Sequence, residues 1–260
     1  MKKRRMPLLL ALLFVFSMFS GILVHGAAGT ELELTSAERE WIEGNKDRTL
    51  IMAITPYAGM EHFYENGIES GYIQKMANRI HTVTGLNIEV RNLDWKDMLP
   101  SLKSGAIDIA VGANETAERK TYMAFTEPIR KVPYALFAMK NGDVSNLGDI
   151  DNKTVAFLEG DIVINMMQNQ YPKLKYNSIY VKSPDEAFQL MEEEKADAVI
   201  NSGEELVFEL LKNNKKAKIV AEIDTITSDM TLSTRLTERT LAEILSKVIA
   251  DAKKNYIPQI

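Results

Sequence analysis

GAIDIAVGANETAER, Gly105 to Arg119, decides how this chain is read. Its first half, AIDIAVG, is a short apolar run expected to form a strand buried on both faces. The run stops at small and polar residues, and a single arginine follows. Working backwards, DWKDMLPSLKSG is expected as a helix. Asp94 is placed to cap it, and Trp95, Met98, Leu99 and Leu102 share one face, while Pro100 distorts the segment. NIEVRNL before it reads as a strand. GYIQKMANRIHTVTG has helical spacing at Ile73, Met76, Ala77, Ile80 and Val83, with Gly85 as its stop, and LIMAIT is a strand. The order strand, helix, strand, helix, strand implies right-handed crossovers and a mostly parallel sheet.

A second round follows in the other direction. YALFAMKN and TVAFLEGD read as strands, IVINMMQNQY as a helix and NSIYVKS as a strand. SPDEAFQLMEEEK is a helix with Ser183 as cap, Pro184 at its first position and Glu186 completing a capping box. ADAVINS, EELVFELLKNN and MTLSTR continue as strand, helix and strand. LTERTLAEILSKVIADAKKN is a final helix with Leu241, Ile244, Leu245 and Val248 on one stripe. Near the start, TSAEREW carries a capping box, Thr35 with Glu38. The two rounds echo each other: SLKSGAIDIAVG and LMEEEKADAVINS place Asp108 and Asp197 at matching points. Divergent duplication and simple α/β regularity account for that equally well.

Composition narrows the chemistry. The chain has 260 residues and no cysteine, which excludes disulfides, thiolate metal sites and thiol catalysis. Three histidines leave little for a histidine metal site or a Ser-His-Asp triad. MKKRR, a long apolar run and HGAAGT have the order of an export signal. Either it is cleaved after Ala28 or Met6 to Val24 stays as an anchor. Both place the remainder outside the cytoplasm, on the periplasmic or extracellular face. Without residues 1–28, which hold Lys2, Lys3, Arg4 and Arg5, 27 basic residues face 36 acidic ones, a net charge of −9. Such a domain is poorly suited to nucleic acid or anionic lipid. No phosphate loop, nucleophile elbow or HExxH motif is present, and no cofactor is expected.

The run WKDMLPSLKSGAIDIAVGANETAERKTYMAFTEPI resembles the bacterial extracellular solute-binding proteins, family 3, at Trp95, Leu102, Gly105, Ile107, Asp108, Thr116, Arg119, Phe125, Thr126 and Pro128. NLGDIDNKTVAFLEGD and SPDEAFQLMEEEKADAVI extend the resemblance from about Leu34 to the end. The opening LTSAEREW is similar to versions of this domain fused to sensor kinases and cyclases. The resemblance implies an α/β clamshell of periplasmic-binding-protein type II (Venus flytrap), with mixed, mostly parallel sheets and a hinge of two crossing strands. It places lobe 1 at residues 48–138 plus 228–260 and lobe 2 at 139–227. It implies capture of a small, carboxylate-bearing, amino-acid-like solute. The partner is then a membrane permease or the membrane part of a signalling receptor. Carried over, Thr116 and Arg119 hold the ligand carboxylate, with backbone groups near Asn114 and Thr116; a guanidinium matches a carboxylate with two parallel hydrogen bonds. Tyr57 is the expected aromatic cover. His62, beside Glu61 and Glu65, has no second histidine at ligand spacing.

Two departures bear on the ligand. The family's ammonium-binding Asp falls on Ser202, which cannot neutralise a cation. Asp161 stands where a small hydroxyl is common; it either takes over the ammonium or merely caps a helix. An alternative is a dehydratase-like enzyme on a cyclic carboxylate, with Asp161 and Glu159 as the acid candidates. Another is a ligand-free, degenerate interaction domain.

Overall fold

The computed structural model describes residues 32–56, 63–65, 68–212 and 216–255. The expected leader, Tyr57 and His62 lie outside these. Among the described residues no helix is long and apolar enough to cross a membrane.

The elements run α1 (Ser36–Asn45), β1 (Thr49–Ile54), β2 (Phe63–Glu65), β3 (Ile68–Ser70), α2 (Tyr72–Thr84), β4 (Asn87–Asn92), α3 (Trp95–Ser104), β5 (Ile109–Val111), β6 (Met123–Phe125) and β7 (Arg130–Met139). They continue with β8 (Thr154–Leu158), α4 (Val163–Gln170), β9 (Asn177–Val181), α5 (Pro184–Glu192), β10 (Ala198–Ser202), α6 (Gly203–Lys212), β11 (Ala217–Met230), β12 (Leu232–Arg235) and α7 (Arg239–Asn255).

The expected α/β rounds build two five-stranded mixed sheets, ordered β4-β1-β5-β12-β6 and β11-β7-β10-β8-β9. Each has a parallel half, β4-β1-β5 in one and β9-β8-β10 in the other, made by helical crossovers. Antiparallel strands complete each: β12 and β6 beside β5, and β7 and β11 beside β10. The chain passes between sheets twice, from β6 to β7 and from β11 to β12. These two passages are bonded to each other. Thr126 N–H donates to Leu232 O (3.1 Å), Leu232 N–H to Thr126 Oγ1 (3.0 Å) and Ile129 N–H to Met230 O (2.6 Å).

Hydrophobic periodicity explains the layers. Leu50, Met52 and Ile54 of β1 are buried against Ile73, Met76 and Ile80 of α2 and against the α7 stripe, where Leu241, Leu245 and Val248 are fully enclosed. In the second sheet Phe137 of β7 meets Phe188 of α5 edge to face, ring centroids 6.3 Å apart. The Thr35–Glu38 capping box forms: Glu38 N–H donates to Thr35 Oγ1 (3.2 Å) and Thr35 N–H to Glu38 Oε2 (2.6 Å). At Ser183 only half of the expected box forms. Ser183 Oγ accepts the Glu186 N–H (3.3 Å), but the Glu186 carboxylate reaches one residue further back, to Lys182 N–H (2.7 Å). Asp94 sits at the α3 N-cap without a side-chain bond to the helix.

The echo between the two rounds has a structural counterpart. Asp108 N–H donates to Ile51 O (2.9 Å), and its Oδ2 accepts Ile51 N–H (2.9 Å). Asp197 N–H donates to Thr154 O (2.8 Å), and its Oδ2 accepts Thr154 N–H (2.8 Å). Each aspartate thus clamps the neighbouring parallel strand through main chain and side chain together. Each also faces the basic residue just before that strand, Arg48 at 2.6 Å and Lys153 at 3.5 Å. The preceding turns correspond as well. Ala106 N–H bonds to Ser101 O and Lys195 N–H to Leu190 O, with Gly105 and Glu194 at φ of +84° and +56°.

Candidate functional site

A cavity of about 50 Å³ lies where four strands end: Ile54 of β1, Val111 of β5, Leu158 of β8 and Ser202 of β10 all line it. These are the carboxyl ends of parallel strands from both sheets, where α/β proteins place ligands because loops and helix N-termini converge there. Thr55, Trp95, Asn114, Asp161, Asn201 and Glu205 supply the rest of its polar and aromatic lining.

Arg119 is buried, 6% exposed, in a short turn following β5. Its Nη1 donates to Asn114 O (2.9 Å) and its Nη2 to Gly160 O (3.0 Å), so it joins the loop after β5 to the loop after β8. The guanidinium carbon stands 5.6 Å from the centre of the Trp95 ring. Glu115, four residues before Arg119, pairs with Lys120. Gly160 has a φ of +78°, and a Cβ there would lie 3.5 Å from Trp95 Nε1. The left-handed conformation, which strains any side chain, is thus what presents the Gly160 carbonyl to Arg119.

The other expected residues divide. Asn114, Asp161 and Ser202 line the cavity. Thr116 does not; its Oγ1 accepts the Arg119 N–H (3.0 Å) and so fixes the turn carrying the arginine. Tyr57 lies outside the described residues. Asn114 ties the β5 end to β11: Nδ2 donates to Ser228 Oγ (2.9 Å), and Oδ1 accepts Asp229 N–H (2.8 Å). Asp161 Oδ1 accepts the Tyr134 hydroxyl (2.8 Å) and the Val163 N–H (3.0 Å), so it faces the cavity and steadies α4 at once. Asp161 as a residue is half-buried, and its carboxyl is the enclosed end. Burial raises its pKa against the pull of Tyr134, Val163 N–H and Arg119. Burial, then the charge of Asp161, pushes the Tyr134 hydroxyl well above its ordinary value, so it acts as a donor. Glu159 is exposed and outside the lining.

Sequence reasoning missed Glu205, Asn201 and Tyr134. Glu205 stands in the first turn of α6, three residues past Ser202, and its Oε2 accepts Asn201 Nδ2 (3.0 Å). The signal available was an acid just beyond the strand end, but an acid in a first helical turn is usual for dipole reasons alone. Trp95, read as a core residue, packs against the apolar clusters of both sheets and also reaches the cavity.

Residues 50–256 match bacterial extracellular solute-binding proteins, family 3. The chain belongs to this family. The chain is 25% identical over 121 residues to the arginine-binding extracellular protein ArtP of Bacillus subtilis (strain 168), over 46% of this chain and 47% of that one. The chain spans about half the length of the first curated relatives it matches. Among solved structures, the BvgS periplasmic domain of B. pertussis aligns with a TM-score of 0.73 at 19% identity, over 83% of this chain and 42% of that one. An ancestral arginine-binding protein bound to arginine aligns with a TM-score of 0.68 at 25% identity, over 80% and 93%. The chain therefore has the fold expected from the sequence, and its family is one of extracellular solute-binding proteins.

Proposed function

We propose that the protein captures a small, polar, carboxylate-bearing solute of amino-acid type outside the cytoplasm. The solute sits between lobe 1 (48–138 plus 228–260) and lobe 2 (139–227), joined by the paired passages at Thr126–Ile129 and Met230–Leu232. One observation carries this reading: four strand ends from two sheets converge on one cavity, and Arg119 bridges its two sides through Asn114 O and Gly160 O. The cavity has room for one or two waters, well below the several hundred Å³ of a typical ligand pocket. A solute therefore enters when the lobes part. Parting breaks the Arg119–Gly160 bond and turns Arg119 Nη2 to the incoming carboxylate. Reclosure traps the solute, and the ligand shifts the balance of open and closed forms. That shift serves delivery to a permease or relay through a membrane receptor equally. The similarity to an arginine-binding protein supports an amino-acid ligand. The enzyme alternative loses one of its two candidate acids to solvent, Glu159.

The test is a thermal-shift screen with amino acids, dicarboxylates, polyamines and sugars. At 100 times its dissociation constant a ligand stabilises by about 2.7 kcal/mol. A carboxylate hit that disappears in Arg119→Ala is expected; hits only among sugars would refute the reading.

A further inference from the structure

We propose that β9 is a docking edge for a second copy of this chain, joined antiparallel so that the sheet runs on from one copy into the other. β9 ends the order β11-β7-β10-β8-β9, and no described strand pairs with its outer side. Along such a strand, successive residues turn their main-chain groups to opposite sides. Asn177 N–H donates to Lys153 O (2.8 Å), and Val181 O accepts the Glu159 N–H (2.8 Å), so the odd-numbered residues face β8. The main-chain groups of Ser178 and Tyr180 therefore face outward.

The edges of the two five-stranded sheets are not guarded alike. β4 carries the exposed Glu89–Arg91 ion pair, β11 has two register shifts, and β6 has only three residues. Charge, irregularity and shortness each discourage a further strand. β9 lacks these guards. NSIYV is uncharged and pairs with β8 over its full length without a shift, and Tyr180 is 59% exposed. Charge selects the occupant. Lys173 and Lys175 precede β9, while Asp185 and Glu186 follow it in the first turn of α5. In an antiparallel pair the basic approach of one copy meets the acidic exit of the other. With the two-fold axis at Ile179 the whole strand pairs, and Ser178 and Tyr180 exchange main-chain hydrogen bonds in both directions. Lys182 then falls opposite Tyr176, not opposite a cation. Pairing ends there, because Lys182 N–H already bonds to the Glu186 carboxylate (2.7 Å). Two short strands make a small contact, so the dimer is a weak one that forms at high concentration. No residue of β9 lines the cavity, so this inference stands apart from the solute reading.

The experiment is sedimentation velocity of the full chain over rising concentration, alongside Tyr180→Lys. A reversible monomer–dimer equilibrium is expected, weakened at least tenfold in Tyr180→Lys. A monomer at every concentration overturns the proposal, and so does a dimer indifferent to Tyr180→Lys. Because the chain has no cysteine, Ile179→Cys reads the pairing directly. Facing residues at a non-hydrogen-bonded antiparallel pair have Cα atoms about 4.5 Å apart, within disulfide reach. With oxidised glutathione, Ile179→Cys is expected to cross-link into dimers at least tenfold faster than Ile219→Cys, a 50% exposed control position on β11. Equal rates overturn the proposal.

Discussion

Glu194 and Gly105 occupy the same turn in the two rounds, both with positive φ, but only one is glycine. Replacing Glu194 by glycine should therefore stabilise the protein. A left-handed conformation costs an L-residue about 1–2 kcal/mol. Glycine avoids that but loses about 0.5–1 kcal/mol more in chain entropy on folding. The Glu194 side chain is exposed and has no ion pair to forfeit among the described residues. The net gain is about 0.5–1 kcal/mol, or about 1–4 °C in melting temperature for a chain of this size. The converse, Gly105→Ala, should cost about 1–2 kcal/mol. Besides the strain, the new Cβ would lie 3.2 Å from Arg235 Nη1, whose bond to Ile107 O (2.9 Å) helps hold the entry to β5. Urea denaturation reads both as shifts of midpoint at constant slope. A lower midpoint for Glu194→Gly, or none lost for Gly105→Ala, would show that φ is not the quantity that matters at these turns.

Two further predictions concern charge. Asp161 has a raised pKa, so its contribution to stability is fully present below its unfolded value of about 3.9 and lost as pH rises through the folded value. Asp161→Asn, which keeps an oxygen for Tyr134 and Val163, should melt higher than wild type at pH 7 and converge with it in acid; melting curves from pH 3 to 7 decide this. Glu38 is the opposite case. Burial alone would raise its pKa, but bonds from Lys247 and Thr35 outweigh it and the net shift is downward, so its contribution is present above about pH 4.3 and lost as pH falls through the folded value. Glu38→Ala should cost about 1–3 kcal/mol at pH 7 through the lost capping box and the 2.6 Å Lys247 bond, and less in acid.

Local features were legible where cause and effect lie within a few residues. The Thr35 box, the α2 and α7 stripes and the matched aspartates all depend on spacing along the chain. The strand role of Asp108 and Asp197 was not legible, because the strands they clamp lie 57 and 43 residues away. The 14-residue β11 escaped because two register shifts break its alternation. The motif singles out Arg119 as a candidate binding residue, but its bond to Gly160 O, 41 residues distant and dependent on a left-handed glycine, was not legible. Glu205 was hidden in EELVFELL, where an acid has an ordinary helical explanation. Only the juxtaposition of the β10 end with the β8 loop shows that it also lines the cavity.

The chain has two tryptophans: Trp95 lines the cavity, and Trp41 sits on α1 with its Nε1 bonded to Glu238 (3.3 Å). This allows the central claim, that the solute is held where the four strand ends meet, to be tested directly. In a Trp41→Phe background, Trp95 emission is titrated with arginine, lysine and the neutral amino acids. The account predicts a saturable change whose midpoint equals the calorimetric dissociation constant and which Arg119→Ala abolishes. Calorimetric binding with unchanged Trp95 emission, or binding indifferent to Arg119→Ala, would place the solute elsewhere and contradict it.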